Sequence, residues 1–264
     1  MTPTVSIGLM GTTPADVLRR LAPRVEQLGF GALWLNDVPG GDSLTGLRAT
    51  AEVTGSLRLA TGVIPVDRRP AASLDLSGLP PARTSLGIGS GAAAKPLGLV
   101  RDAVRALRER TSAEIVVGAL GPRMRRMAAE ESDGVLLNWL TPDAAGIAMR
   151  ELDADAAAAL RSGVRGVLYI RTIIEPAARA QLETEASKYG SFPSYAANFA
   201  RLGFEAIDAT IDDAEGLAAY LREPAGVDGE RAPDEIVLRA ITPNSTLREL
   251  ESFVEHAAGW IRAD

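Results

Sequence analysis

The residues able to do chemistry in this sequence fall at the ends of apolar stretches. They are Asn36-Asp37, Gly62-Val63-Ile64-Pro65, Gly89-Ser90-Gly91, Ala119-Leu120-Gly121 and Asn138-Trp139, with Met10-Gly11, Arg171-Thr172 and Ile241-Thr242 at the remaining ends. The set is small, rich in amides and poor in acid-base groups: one plausible carboxylate, Asp37, no lysine and no histidine. Small residues make room for something flat, and amides and hydroxyls can hydrogen-bond the edge of a heterocycle. Such a rim suits a site in which a bound cofactor carries the reaction.

Leu120-Gly121-Pro122-Arg123 adds a second kind of chemistry. A strand ends at a glycine turn, Pro122 opens a helix, and Arg123 sits in its first turn. Free N–H groups and the positive end of the helix dipole make that a natural phosphate site. The same residues also read as a tight strand-to-helix turn with an exposed arginine. Gly87-Ile88-Gly89-Ser90-Gly91 lacks the later glycine of a dinucleotide fingerprint and reads equally as a crowded barrel strand.

Much chemistry is excluded. The chain has no cysteine and one histidine, so thiolate catalysis, cysteine zinc sites and disulfides are out. His256 falls outside the apolar stripe of Leu247, Leu250, Val254, Ala258 and Ile261, which places it on a solvated helix face and leaves no base for a triad. A formal net charge of −6 gives no footprint for nucleic acid. No apolar run approaches the roughly 20 residues of a membrane helix. The N-terminus lacks a basic, apolar leader. These features predict a cytoplasmic protein.

The elements that must position the rim alternate strand and helix. Strands are predicted over 4–10, 31–37, 57–65, 83–91, 113–120, 133–140, 164–174 and 234–242, nearly all apolar on both faces. Helices follow most of them: Pro14 opens one that Gly29 closes, and others fall in 43–55, 95–110, 122–132, 141–163, 176–190, 194–202 and at the C-terminus. A weak short helix is predicted in 70–79, and 204–233 reads as one short helix and a loop. Eight buried strands, each trailed by a helix, predict a parallel sheet covered by helices. At 264 residues the closed (β/α)8 barrel is preferred to an open doubly wound sheet, with residues 1–264 as one domain.

Taken in order, the stretches 29–39, 58–65, 84–91, 115–139 and 246–260 resemble the luciferase-like monooxygenases, (β/α)8 oxidoreductases that use flavin or deazaflavin. The chain resembles a compact member, with little more than one helix between the fourth and fifth strands, where relatives often carry a long insertion. It is therefore expected to have little to form a lid. The resemblance implies a bulge at the end of the third strand with a non-prolyl cis peptide, Gly62-Val63, behind the middle ring of the cofactor. A trans peptide in an ordinary strand end is the other reading of these residues. By the same resemblance, Ala119, Leu120, Gly121, Pro122, Arg123 and Met124 hold the cofactor phosphate. Asn36 and Asp37 flank the ring, Val63 and Ile64 wall it, and Gly89, Ser90 and Asn138 surround its polar edge. Deazaflavin relatives often carry a histidine where this chain has Val38, which leaves Asp37 as the candidate proton donor.

The implied function is hydride transfer between bound F420 or FMN and a small organic substrate. F420 has an acidic tail, which Arg68, Arg69, Arg123, Arg125 and Arg126 could track. A non-catalytic barrel that binds a flavin or other ligand is the alternative, and an unrelated phosphate-binding barrel enzyme the third. The expected partner is a small-molecule substrate, with no nucleic acid, no membrane and no metal; whether the chain forms a homo-oligomer is left open.

Overall fold

In the computed structural model, which describes residues 3–222 and 231–262, the apolar stretches become strands and the amphipathic ones helices. In chain order they are β1 (Thr4–Met10), α1 (Ala15–Gln27), β2 (Ala32–Asn36), α2 (Ser43–Ala51), β3 (Arg58–Thr61) and β4 (Ile64–Pro65). There follow β5 (Thr84–Gly89), α3 (Pro96–Arg108), β6 (Glu114–Gly118), α4 (Pro122–Glu131), β7 (Gly134–Asn138) and α5 (Pro142–Ala158). Last come β8 (Arg165–Thr172), α6 (Arg179–Ser191), α7 (Pro193–Leu202), β9 (Thr210–Ile211), α8 (Ala214–Leu221), β10 (Glu235–Ala240) and α9 (Leu247–Arg262).

The sheet runs β10-β1-β2-β3-β5-β6-β7-β8 and closes where β8 pairs with β10, every pairing being parallel. This is the predicted eight-stranded (β/α)8 barrel. β4 continues the third strand beyond its corner, and the two-residue β9 pairs in parallel beside the end of β8. The weak helix expected in 70–79 is a single 3-10 turn, Ala71–Ser73, begun by Pro70. In the uncertain stretch α8 is the short helix; residues 223–230, where the loop was expected, lie outside the described residues. His256 is exposed, as its position off the stripe required.

Period-two alternation sorts the strand residues between two cores. Outward residues such as Ile7, Leu33, Leu59, Ile88, Ile115 and Leu168 pack under the helices. Inward ones, Ala32, Trp34, Ala60, Val116, Leu136, Val167, Tyr169 and Val237, fill the barrel, so its axis is a packed core rather than a channel.

Below that filling lies a charged foot. Arg165 on β8 binds Glu114 of β6 at 2.6 and 3.0 Å and also Glu235 of β10; Arg58 of β3 reaches Glu114 at 2.7 Å. The indole N–H of Trp34 donates to Glu235 at 2.6 Å. Above the filling, the same strands present Asn36, Arg171 and Arg239 at the C-terminal mouth.

Candidate functional site

The third strand breaks at Gly62-Val63, whose peptide bond is cis, as the family resemblance implied. On one side of the break, the Gly62 N–H donates to Leu35 O at 2.9 Å, and the Asn36 amide donates to the Gly62 carbonyl. On the other, Ile64 and Pro65 pair with Ile88 and Gly89 of β5, and the strand ends at Pro65 as expected. The Val63 side chain lies against three glycines: a Cβ built on Gly87, Gly89 or Gly118 would come within 3.4, 2.7 or 3.1 Å of its methyl groups. Gly89 and Gly118 leave the room that Val63 needs, whereas at Gly87 the nearer obstacle is the Thr61 carbonyl; Val63 keeps part of its surface open at the mouth. Ile64, by contrast, is fully buried in the outer core, so the wall offered to the mouth is Val63 and backbone alone.

Beside this corner is a cavity of about 470 Å³ lined by Met10, Asn36 and Val38 from the first two strand ends, Arg171 and Arg239 from the last two, and one face of α6. Asn36 joins cavity to corner: its amide holds Gly62, and its carbonyl accepts Arg239 Nε at 3.1 Å. Arg171 donates to Glu185 of α6 at 2.8 Å and to Asn138, and its guanidinium lies over the rings of Trp139 and Tyr189, 4.2 and 4.7 Å from their centroids. The Asn138 amide continues to Tyr195 of α7 at 3.3 Å. Burial pushes the Glu185 carboxyl upward, and the guanidinium charges of Arg171 and Arg239 outweigh it, holding the group below its ordinary value.

The cover is where the sequence reading needs correction. The chain has a cap, in α6 and α7 after β8 rather than between the fourth and fifth strands. Ala180, Gln181, Thr184, Glu185, Lys188 and Tyr189 line one side of the cavity, which stays open to solvent along Ala180, Gln181, Thr184 and Lys188, and Trp139, Tyr189, Tyr195 and Phe199 anchor this cap as one aromatic cluster.

The expected site residues do not all converge. Asp37 is buried, but its carboxylate is taken by Ser43 Oγ at 2.8 Å and by Arg69, and it is not among the residues lining the cavity. Its place is that of an anchor for the loop after β4. The expected basic track is also broken up: Arg69 is held by Asp37 and Asp42, Arg125 is buried against Glu151, and Arg126 pairs with Asp155 at 3.1 Å. Arg68 and Arg123 remain exposed. Ser90, partly exposed, and Gly89, buried, continue the rim beside Val63.

The turn from Ala119 to Met124 stands apart from the cavity lining. No side chain caps α4, Pro122 occupies its first turn, and a Cβ on Gly121 would meet nothing within 4 Å. Ala119 faces the outer core, so the turn presents backbone, with Arg123 above it. An uncapped helix start with open space before it fits a phosphate group.

Arg239 and Glu185 went unforeseen, although a signal existed. β8 reads Arg165, Val167, Tyr169, Arg171 on one face and β10 reads Glu235, Val237, Arg239, charges bracketing apolar residues in strands otherwise buried on both sides. Between the two arginines and the foot sits Tyr169, whose hydroxyl is buried without a hydrogen-bond partner among the described residues and whose acidity burial suppresses. Tyr169→Phe should therefore leave unfolding free energy unchanged or raise it by up to about 1 kcal/mol. A loss of more than about 1 kcal/mol in urea denaturation would show that the hydroxyl has a partner after all.

Comparison with known proteins bears on this geometry. A family model described as luciferase-like monooxygenase matches residues 101–255, more than half of the chain. The 5,10-methylenetetrahydromethanopterin reductase of Methanolobus tindarius is 27% identical over 193 residues, 58% of this chain and 59% of that protein. The chain thus aligns with little more than half the length of that relative. Among solved structures, an F420-dependent secondary alcohol dehydrogenase in complex with an F420-acetone adduct superposes with a TM-score of 0.72 at 13% identity, covering 98% of this chain and 99% of the other. The oxygenating constituent of 3,6-diketocamphane monooxygenase from Pseudomonas putida, in complex with FMN, gives 0.68 at 12% identity, with 98% and 99% covered. At these identities the two structures speak for the fold.

Proposed function

We propose, from the premise that this chain belongs to the luciferase-like monooxygenase family, that it is an oxidoreductase holding F420 or FMN at the barrel mouth and acting on a small organic substrate. Among the proteins similar to this chain are a reductase and, by fold, a dehydrogenase and a monooxygenase. The observation that carries the reading is the double use of Asn36, which locks the Gly62-Val63 corner and lines the cavity next to it.

When bound, the ring would supply the hydride chemistry that the side chains lack. Gly62 and Val63 would back the ring, with Asn36, Gly89, Ser90 and Asn138 about its edge. Ala119, Leu120, Gly121, Pro122, Arg123 and Met124 would hold its phosphate through backbone N–H groups and the Arg123 guanidinium. The α6–α7 pair fixes Arg171, through Glu185 and the aromatic cluster, over the mouth.

Titration with F420 and with FMN, followed by absorbance and fluorescence, tests the reading; saturable binding of neither would end it. Arg123→Ala should weaken cofactor affinity by about 1–3 kcal/mol, the scale of a charge-assisted hydrogen bond. Unchanged affinity would leave phosphate binding to the backbone alone. A ligand-binding barrel without chemistry is the second reading, favoured by one observation. The only carboxylate lining the cavity among the described residues, Glu185, is committed to Arg171, and Asp37 to Arg69. Saturable cofactor binding with no change in redox state across a panel of small alcohols, aldehydes and acids would support it.

A further inference from the structure

Arg171 and Arg239 are partners in the β8–β10 register, so the barrel places two guanidinium groups side by side at its mouth. They are 2% and 4% exposed. Like charges directly opposed on neighbouring strands repel, and a buried charge without a counter-ion is costly. Arg171 has Glu185; Arg239 has no ion pair among the described residues, its bonds going to Asn36 Oδ1 and the Ala240 carbonyl. Lys188 adds a third positive charge to the cavity lining, against the single carboxylate of Glu185. A chain with formal net charge −6 thus carries a positive pocket at its mouth, judged on the described lining residues.

We propose that the cavity takes a small organic carboxylate, held by Arg239 and Arg171 with Lys188 at the rim. This deepens the oxidoreductase reading, on which it rests, by naming the substrate class. The donors left over match that group. Nε and Nη1 of both arginines are engaged, and Nη2 of each has no partner among the described residues. Two N–H donors from adjacent guanidinium groups suit the two oxygens of one carboxylate. A phosphate dianion would leave acceptors unmet and would face Glu185, whose carboxyl Arg171 and Arg239 hold ionised against the effect of burial. On Arg239 burial works the other way and outweighs the charge of Glu185, holding the guanidinium below its ordinary value.

The test is calorimetric binding of acetate, benzoate and succinate against acetamide, benzamide and succinamide, with inorganic phosphate as a third arm. Each is run without cofactor and with saturating F420 or FMN. At least one carboxylate should bind about tenfold tighter than its amide, the scale of one charge-assisted hydrogen bond. Arg239→Gln should abolish that gap, Arg239→Lys should restore part of it, and Lys188→Met should narrow it by about threefold, the scale of an exposed charge. Arg20→Gln, on the exposed face of α1, should change nothing. Equal affinity for acids and amides, phosphate binding tighter than every carboxylate, or a gap that survives in both Arg239→Gln and Lys188→Met would each overturn the proposal. Should Arg239→Gln not fold, wild-type selectivity and the surface variant Lys188→Met decide it. Normal cofactor binding without carboxylate preference overturns this inference alone, and carboxylate preference without cofactor binding overturns only the redox reading.

Discussion

Glu235→Ala should cost the barrel about 3–5 kcal/mol of unfolding free energy, the scale of breaking a buried ion pair by removing one partner. Glu235 is 2% exposed at the start of β10 and serves two donors, Arg165 and the indole N–H of Trp34. Its loss leaves Arg165 with Glu114 alone, and strands the N–H of a tryptophan with no exposed surface. Orphaning that N–H by itself is worth about 1–3 kcal/mol. Glu235→Gln should cost less, because an amide oxygen can still accept from Trp34. The foot lies at the opposite end of the barrel from the mouth, so protein that remains folded should bind cofactor as wild type does. Urea denaturation with cofactor titration of the same variant checks both parts. A cost below about 1 kcal/mol would mean that water replaces the carboxylate and that the foot is not a closed network.

Gly87→Ala should damage the mouth instead of the foot. A Cβ at Gly87 would fall 1.9 Å from the carbonyl oxygen of Thr61 and 3.4 Å from a Val63 methyl group. The obstacle is backbone, which cannot swing aside as a side chain can, so β3 and β5 must separate where the Gly62-Val63 corner is held. The bond from Thr61 Oγ1 to the Gly87 carbonyl, 2.8 Å, would go with it. Overpacking of this kind costs about 1–3 kcal/mol or more. Because the same movement displaces Val63 and the Gly62 carbonyl that Asn36 holds, cofactor affinity should fall by at least about tenfold, a loss of about 1.4 kcal/mol. Gly121→Ala is the counter-example: its Cβ meets open space and its φ of −113° is ordinary, so stability should change by no more than about 0.5 kcal/mol. If Gly87→Ala melts with wild type and binds cofactor normally, the corner is not the cofactor wall.

What the sequence determined by itself is the barrel and the identity of its rim. Apolar runs such as Thr4–Met10 and Glu114–Gly118, with helices between them, can be buried on both faces only in a helix-covered parallel sheet, and strand ends are countable along the chain. The strand end at Pro65 and the glycine turn before Arg123 were legible for the same reason, since both are local features of consecutive residues; the cis bond at Gly62-Val63 was implied only by the family resemblance. Tertiary structure decided everything that depends on pairing across the fold. Asp37 reads as a free carboxylate until Arg69, brought back by the loop after β4, takes it. Arg125 reads as part of a basic track until α5 supplies Glu151 and buries it. Arg171 and Arg239 look like isolated charges in two distant strands, and only the β8–β10 register sets them side by side. Periodicity tells which face of an element is buried, whereas the charge a side chain meets there is set by contacts between segments far apart in the chain. For that reason the scaffold of this site could be read from the sequence, and its electrostatics could not.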